Sequence, residues 1–478
     1  MKRPYLLIAV FVILSLALAA CGQATPAPAP TQPPAPAPAE PTKAPEPTKA
    51  PEPTKAPEPT KAPEPTKAPE PTAAPQPALG KVLKIGQISQ LSGALALYGL
   101  QQTRGFQIGL EYVSGGTKDD QGRFIVAGRP VEVLTRDDEG NPEKGVQIAR
   151  ELIEKDGVEL IQGPSSSAVA VALTTLAQEY KIILMVDPAA SAFITGQNFN
   201  PYVFRTSRTN FDDTLVIAKY LVENVGKKFA HIGIDNAFGR GSGAALAYSV
   251  AKFGGQVIAD IYAPATTTDF TPYIQQAMDS GADCLFLTWA GTGYVTLFQQ
   301  LGDLGALDQM RVATGYGDNV SFAAVYGSAV GQIGLNVYHY TVPKNPVNDF
   351  LVKRHLELFK EPPDLFTAGG MASAIALAAA LEKTGGDTTA AKMIPALEGL
   401  KFEGPKGAYH IRAEDHVCEQ PMNILKLVDI NPPKDEQGRP TYRFFETIYV
   451  SQYDELGVPC TLTGEYASRC GKLPKIGQ

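Results

Sequence analysis

The chain has 478 residues, with 42 Lys plus Arg against 49 Asp plus Glu and a net charge of −7. No basic face or run stands out, so nucleic acid is not an expected partner. Five cysteines are too few for a disulfide scaffold, and the five histidines, at 231, 339, 355, 410 and 416, are scattered, so neither a metal site nor a cofactor is expected.

At the start of the chain, Lys2 and Arg3 precede an apolar run from Leu6 to Leu18, and small residues lead into Cys21. This is the three-part layout of a secretory signal peptide. The run falls short of the roughly 20 residues that a membrane span needs. Leu18-Ala19-Ala20-Cys21 resembles the lipobox of bacterial lipoproteins. That resemblance implies cleavage after residue 20, a lipid on the Cys21 sulfur and anchorage to a membrane. An ordinary signal peptide and an uncleaved anchor are the alternatives, and each still puts the body outside the cytoplasm. Residues 21–79 are then proline-rich and from Glu40 repeat the hexad Glu-Pro-Thr-Lys-Ala-Pro. Proline at this density excludes helix and sheet. An extended polyproline stem is expected, on the order of 170 Å long if straight.

From Gly80 onward, strands and helices alternate. Residues 81–89 read as a strand, 97–115 as a helix with Gly105 and Gly109 allowing close packing, and 129–138 as a strand. Asn141 caps the next helix, with Pro142 at its first position. A strand over 158–163 runs into "GPSSSAVAVALTTLAQEY", a turn and a helix, and 182–190 is another strand. The rhythm restarts after Phe204-Arg205-Thr206-Ser207, the expected first crossing between two sheets. Strands are expected over 228–235, 256–263, 282–290, 310–317 and 334–342, with a helix before the first and helices between the first four. Continuous apolar strands between helices predict parallel sheets covered on both faces. The fold class is therefore α/β, with two doubly wound lobes and a cleft between them.

Ligands of such sheets bind outside the carboxyl ends of the strands. The turns there carry "QLSGALALYG", "GPSSSA", "PAAS", "DNAFGRG", "TWAGTGY" and "TGYGDN". Small residues, hydroxyls, aromatics and free helix N-termini suit a carboxylate. Ser165, Ser166 and Ser167 are more hydroxyls than one helix cap requires. Asp137 and Asp138 follow a strand and read as turn-capping residues. Cys284 reads as inert core. Cys460 and Cys470 are the preferred disulfide, with Cys418 as a competing partner.

In this order and spacing, "IGQISQLSGALALYG", "LIQGPSSSAVAVA", "VFRTSRT", "IDNAFGRG", "TTDFTPYIQQ", "GLNVYHY" and "FEGPKGAYHIRAEDH" resemble the substrate-binding proteins of ABC importers, in particular the branched-chain amino-acid-binding family with the type I periplasmic fold. The resemblance covers roughly Val82 to Phe445. It implies that Ser167, with Ala189, Ala190 and Ser191, holds a ligand carboxylate. It places Tyr98, Phe238, Trp289, Ala290 and Gly291 near the ligand. Phe238 stands where the family has Tyr, so its hydroxyl is lost. Tyr316 falls on the family's acidic, ammonium-pairing position, with Asp318 two residues on.

The implied division is residues 80–206 plus about 342–405 for the first lobe, 207–341 plus about 406–460 for the second, and a tail over 461–478. The expected role is delivery of a small amino acid to a membrane permease. If Asp318 does not reach the cleft, an aromatic carboxylate, keto acid or amide fits better, because an unpaired buried ammonium costs several kcal/mol. A ligand sensor is the other non-enzymatic reading. Catalysis is not expected, since no base lies near the serine turn in sequence and no Gly-x-Ser-x-Gly elbow occurs.

Overall fold

The computed structural model describes residues 80–325, 327, 329–429 and 434–476. The expected signal peptide, Cys21 and the proline-rich tract to residue 79 lie outside the described residues.

The first sheet contains β1 (Leu83–Ser89), β2 (Ile125–Val126), β3 (Arg129–Asp137), β4 (Leu160–Gln162), β5 (Ile183–Val186) and β6 (Val203–Arg205), in the order β2-β3-β1-β4-β5-β6. Every pairing is parallel except β2 with β3. Alternate side chains go to opposite faces. Leu160 and Ile183 therefore enter one core with Leu83 and Ile85, while Ile161 and Leu184 enter another with Ile88. Helices α1 (Ala96–Val113), α2 (Pro142–Glu154) and α3 (Ser167–Tyr180) connect these strands. Asn141 caps α2 as expected, accepting the Lys144 amide at 2.8 Å, with Pro142 at the first turn.

The second sheet contains β7 (Lys228–Ile234), β8 (Gln256–Ala263), β9 (Cys284–Thr288), β10 (Arg311–Gly315) and β11 (Ile333–Asn336). Its connecting helices are α4 (Asn210–Asn224), α5 (Ala237–Lys252), α6 (Thr271–Asp279), α7 (Tyr294–Asp303), α8 (Ala306–Gln309) and α9 (Asn319–Val325). The strand expected to run to residue 342 stops at Asn336, where the chain leaves this sheet and crosses back. Three helices follow: α10 (Pro346–Phe359), α11 (Thr367–Thr384) and α12 (Ala390–Leu397). Of these, α11 lies directly on α1. A Cβ on Gly105 would stand 2.0 Å from the Thr367 carbonyl, and one on Gly109 would stand 2.6 Å from Ala374 Cβ. Those two glycines are therefore needed for the approach.

A small antiparallel sheet, β12 (Lys401–Gly404), β13 (Gly407–Ile411) and β14 (Cys418–Glu419), precedes β15 (Asn423–Leu427) and β16 (Phe445–Val450). The second sheet runs β16-β15-β11-β10-β9-β7-β8, with β15 and β16 antiparallel additions. The expected return to the second lobe at about residue 406 is corrected here. Tyr409, Ile411 and Cys418 pack into the first lobe's core, so the crossing falls between Glu419 and Asn423. The tail also belongs to the first lobe's side. Cys460 and Cys470 are joined by a disulfide and pack with Leu462 on Phe199. Cys284 and Cys418 are free and buried.

Candidate functional site

In each sheet the strand order reverses at one place, between β1 and β4 in the first and between β7 and β9 in the second. Chain leaving two adjacent strands in opposite directions opens a crevice at their carboxyl ends. The two crevices face each other across a cavity of about 320 Å³, at the small end of the roughly 300–1,000 Å³ usual for ligand pockets. Its walls include Tyr98, Ser165, Ser166, Ser167, Ala189 and Ala190 from the first lobe. Ile234, Asn236, Phe238, Ala290 and Thr292 face them from the second. The lips touch: the Thr292 amide donates to the Ala94 carbonyl at 3.2 Å, and the Gly291 amide to the Tyr98 hydroxyl at 3.4 Å.

The serine turn owes its shape to Gly163. That residue has φ +112°, a region L side chains rarely adopt, and a Cβ there would lie 1.9 Å from the Ile88 carbonyl. Each of the three serines then has a separate task. Ser165 donates to Gln102 Oε1 at 2.9 Å and ties the turn to α1. Ser166 is the N-cap residue of α3, and its hydroxyl makes no capping bond. Ser167 Oγ accepts the amides of Ala190, at 3.2 Å, and Ser191, at 3.1 Å. Having accepted two amides, the Ser167 hydroxyl still has its own proton to donate into the cavity. The amides of Ser166, Ser167 and Ala168 find no acceptor among the described residues. They are the open end of a 14-residue helix, where partial positive charge favours an anion.

The second turn differs from expectation. Ala189, Ala190 and Ser191 were expected to help hold the ligand carboxylate, but the amides of all three are already engaged. Ala189 donates to the Pro164 carbonyl, and the other two donate to Ser167. The turn is braced from behind by Arg205, whose guanidinium takes the carbonyls of Ala189, at 2.7 Å, and Ser191, at 3.1 Å. Ser191 is fully enclosed and accepts the Phe193 amide, so it lies off the cavity wall.

Four further expected contacts sit behind or beside the cavity. Trp289 packs edge-on against Phe270 and donates Nε1 to the Thr292 carbonyl at 2.9 Å. Tyr316 donates to the Gln332 carbonyl and packs at a tilt against Phe322. Both line a side chamber of about 60 Å³ that shares Tyr98, Arg208, Phe238, Ala290 and Phe366 with the main cavity. Gly291 serves the lip contact. Asp318 is buried, and its carboxylate caps α9 by accepting the Ser321 amide and hydroxyl. The reason is local: Asp318 stands directly before α9, so its carboxylate folds back on the helix start rather than into the cleft.

Asp318 still acts through its field. Burial pushes the Tyr98 phenol well up, Asp318 and then Asp364 add to this, and Arg208 opposes it. Asp364 itself accepts the Asn319 amide on both oxygens at 3.1 Å, joining the segment before α11 to the start of α9. Burial first, and Asp318 second, push its carboxyl up to about 7. Asp137 and Asp138 are turn-capping residues, accepting the amides of Leu91 and Glu139 and of Gly140.

Sequence reasoning missed Arg208, Phe366, Gln90 and Pro188, all on the cavity wall. Arg208 was within reach, since it stands in the quoted "FRTSRT" at the first crossing. Phe366 was not, because it arrives from a segment more than 170 residues beyond the first-lobe turns it joins. Among the described residues no group of His, Cys, Asp or Glu is placed to hold a metal ion. No described helix is long and apolar enough to cross a membrane.

Two α/β lobes with a shared cavity at their switch points define a solute-binding protein. Residues 82–435 match the model of the periplasmic binding protein family. The chain belongs to that family, whose members work outside the cytoplasm. Leu/Ile/Val-binding protein homolog 6 of Brucella suis is 28% identical over 352 residues, 71% of this chain and 86% of the relative. The solved structure of an ABC-type branched-chain amino acid transporter protein from Rhodopseudomonas palustris is 34% identical with a TM-score of 0.67, covering 80% of this chain and all of that one. A solute-binding protein from R. palustris BisB5, in complex with 3,4-dihydroxybenzoic acid, is 25% identical with a TM-score of 0.68, covering 78% of this chain and 98% of that one. The resemblance drawn from the quoted turns is met in these relatives.

Proposed function

We propose that this protein is the extracytoplasmic binding component of an ABC importer, holding a small amino acid of the branched-chain type between its lobes and delivering it to a membrane permease. The observation that carries this reading is the polarity of the cavity. The first lobe offers the unbonded α3 amides and the Ser166 and Ser167 hydroxyls to a carboxylate, and the second offers Ile234, Phe238 and Ala290 to an apolar side chain. Fully burying a Val or Leu side chain there contributes about 1.5–3 kcal/mol. Asp318 and Asp364, behind Tyr98, supply negative potential toward an ammonium, though neither carboxylate is on the wall. Residues 1–20 act as the signal and 21–79 as the tether, with lipid on Cys21.

A second reading, an aromatic carboxylate, is favoured by the wall charges. The wall's acidic residue, Glu139, is exposed and paired with Lys144 at 2.5 Å, while Arg208 puts a cation on the wall. The BisB5 neighbour in complex with 3,4-dihydroxybenzoic acid supports the same reading. A thermal-shift screen of valine, leucine and isoleucine against benzoate, 4-hydroxybenzoate and branched keto acids separates the two. A ligand at about 100 times its Kd should stabilise the fold by roughly 2.7 kcal/mol. Shifts from the ammonium-free acids alone would select the second reading. No shift from any carboxylate would reject both.

A further inference from the structure

The cleft holds one charged side chain whose task is not accounted for by the serine turn. Arg208 follows the first crossing and is only 7% exposed. Its Nε donates to Asp213 Oδ1 on α4 at 3.1 Å, and its Nη1 donates to the Pro188 carbonyl at 3.0 Å. Those two bonds fix the plane of the fork, one from each lobe. The Phe366 ring lies 5.5 Å from the guanidinium carbon. Nη2 meets no acceptor among the described residues, and the residue lines the cavity.

The placement relative to Ser167 follows from the shared turn. Arg208 is bound to Pro188, and Ser167 is bound to Ala190, two residues on. Consecutive Cα atoms are 3.8 Å apart, so these two anchor points lie within about 7–8 Å. The guanidinium and the serine hydroxyl are therefore both held by one three-residue stretch of the cavity wall.

Resting on the carboxylate reading above, we infer that Arg208 is the specificity-determining residue of the cleft, completing with Ser167 a two-sided carboxylate clamp that selects acids over their amides. Nε and Nη1 are spent on Asp213 and Pro188, so Nη2 offers a charge-assisted donor to one carboxylate oxygen while the Ser167 hydroxyl serves the other. An amide of the same shape turns an NH2 group toward those donors and leaves one of them unmet. Asp213 sets the strength of the clamp. It balances the buried guanidinium when the cleft is empty and shares it when a ligand arrives.

The test is isothermal titration of the full chain with two matched pairs: valine against valinamide, and 4-hydroxybenzoate against 4-hydroxybenzamide. The wild-type protein should bind the better acid at least about 100-fold more tightly than its amide. Arg208→Gln should reduce that ratio to within about tenfold, and Arg208→Lys, a point charge without the fork, should fall between. Asp213→Asn, which frees the guanidinium of its counter-charge, should raise the ratio. Arg208→Gln that folds and keeps the wild-type ratio overturns the inference while leaving the binding function intact. Should Arg208→Gln fail to fold, unchanged ratios in both Arg208→Lys and Asp213→Asn overturn it equally. A wild-type protein that binds none of the four compounds overturns the inference together with the function it rests on.

Discussion

Replacing Ser167 by Ala tests the serine turn at its most connected atom. The change removes one acceptor and orphans two amides, those of Ala190 and Ser191. Ser191 is fully enclosed, so its amide alone should cost about 1–3 kcal/mol of stability. Ala190 lines the cavity, where water can stand in for the lost oxygen, and adds at most about 1 kcal/mol. The expected loss of stability is thus about 1–4 kcal/mol, read from urea unfolding without ligand. The same hydroxyl donates to the ligand carboxylate, a charge-assisted bond contributing roughly 1.5–3 kcal/mol. Affinity should therefore fall about 10- to 150-fold by isothermal titration. Ser166→Ala is the control, because that hydroxyl makes no capping bond. It should cost stability less than about 1 kcal/mol. Equal stability of the two variants would refute the bracing role of Ser167, and unchanged affinity in Ser167→Ala would refute its donation to the ligand.

Three other outcomes are expected. Cys460→Ser with Cys470→Ser opens a loop of sequence separation 10 and should lower stability by roughly 2–3 kcal/mol, measured by unfolding with and without reductant; no change would mean that packing on Phe199 alone holds the tail. Asp364 has a folded pKa raised to about 7, above its unfolded value of roughly 4, so the folded form keeps a proton that the unfolded chain loses. The stability this contributes is complete below about pH 4 and is lost as pH rises through about 7. Asp364→Asn should accordingly flatten the pH dependence of Tm across that window, and an unchanged difference curve would place the titration elsewhere. Cys21→Ser should release the protein from membranes in fractionation, and continued tight association would reject the lipid anchor.

Much of this architecture was legible because parallel-sheet proteins write their topology into composition. Apolar runs between amphipathic helices identify strands buried on both faces, and the turns after them identify the crevice. Tyr98, Ser165, Ser166, Ser167, Ala189, Ala190, Phe238 and Ala290 do share one cavity wall. What could not be read was where hydrogen-bond donors are spent. Ala190 and Ser191 look like open amides in sequence, yet their bonds to Ser167 depend on a 23- or 24-residue return of the chain.

The local sequence by itself determined most elements as far as β11, the turn at Gly163 and the Asn141 cap, since each depends on periodicity and backbone sterics within a few residues. Tertiary structure alone decided that β13 and β14 fill the first lobe and that Arg208 and Phe366 reach the cavity. Those outcomes depend on which surfaces meet when distant segments cross between lobes. Burial and hydrogen-bond competition settle that, and neither is a property of any short stretch of chain.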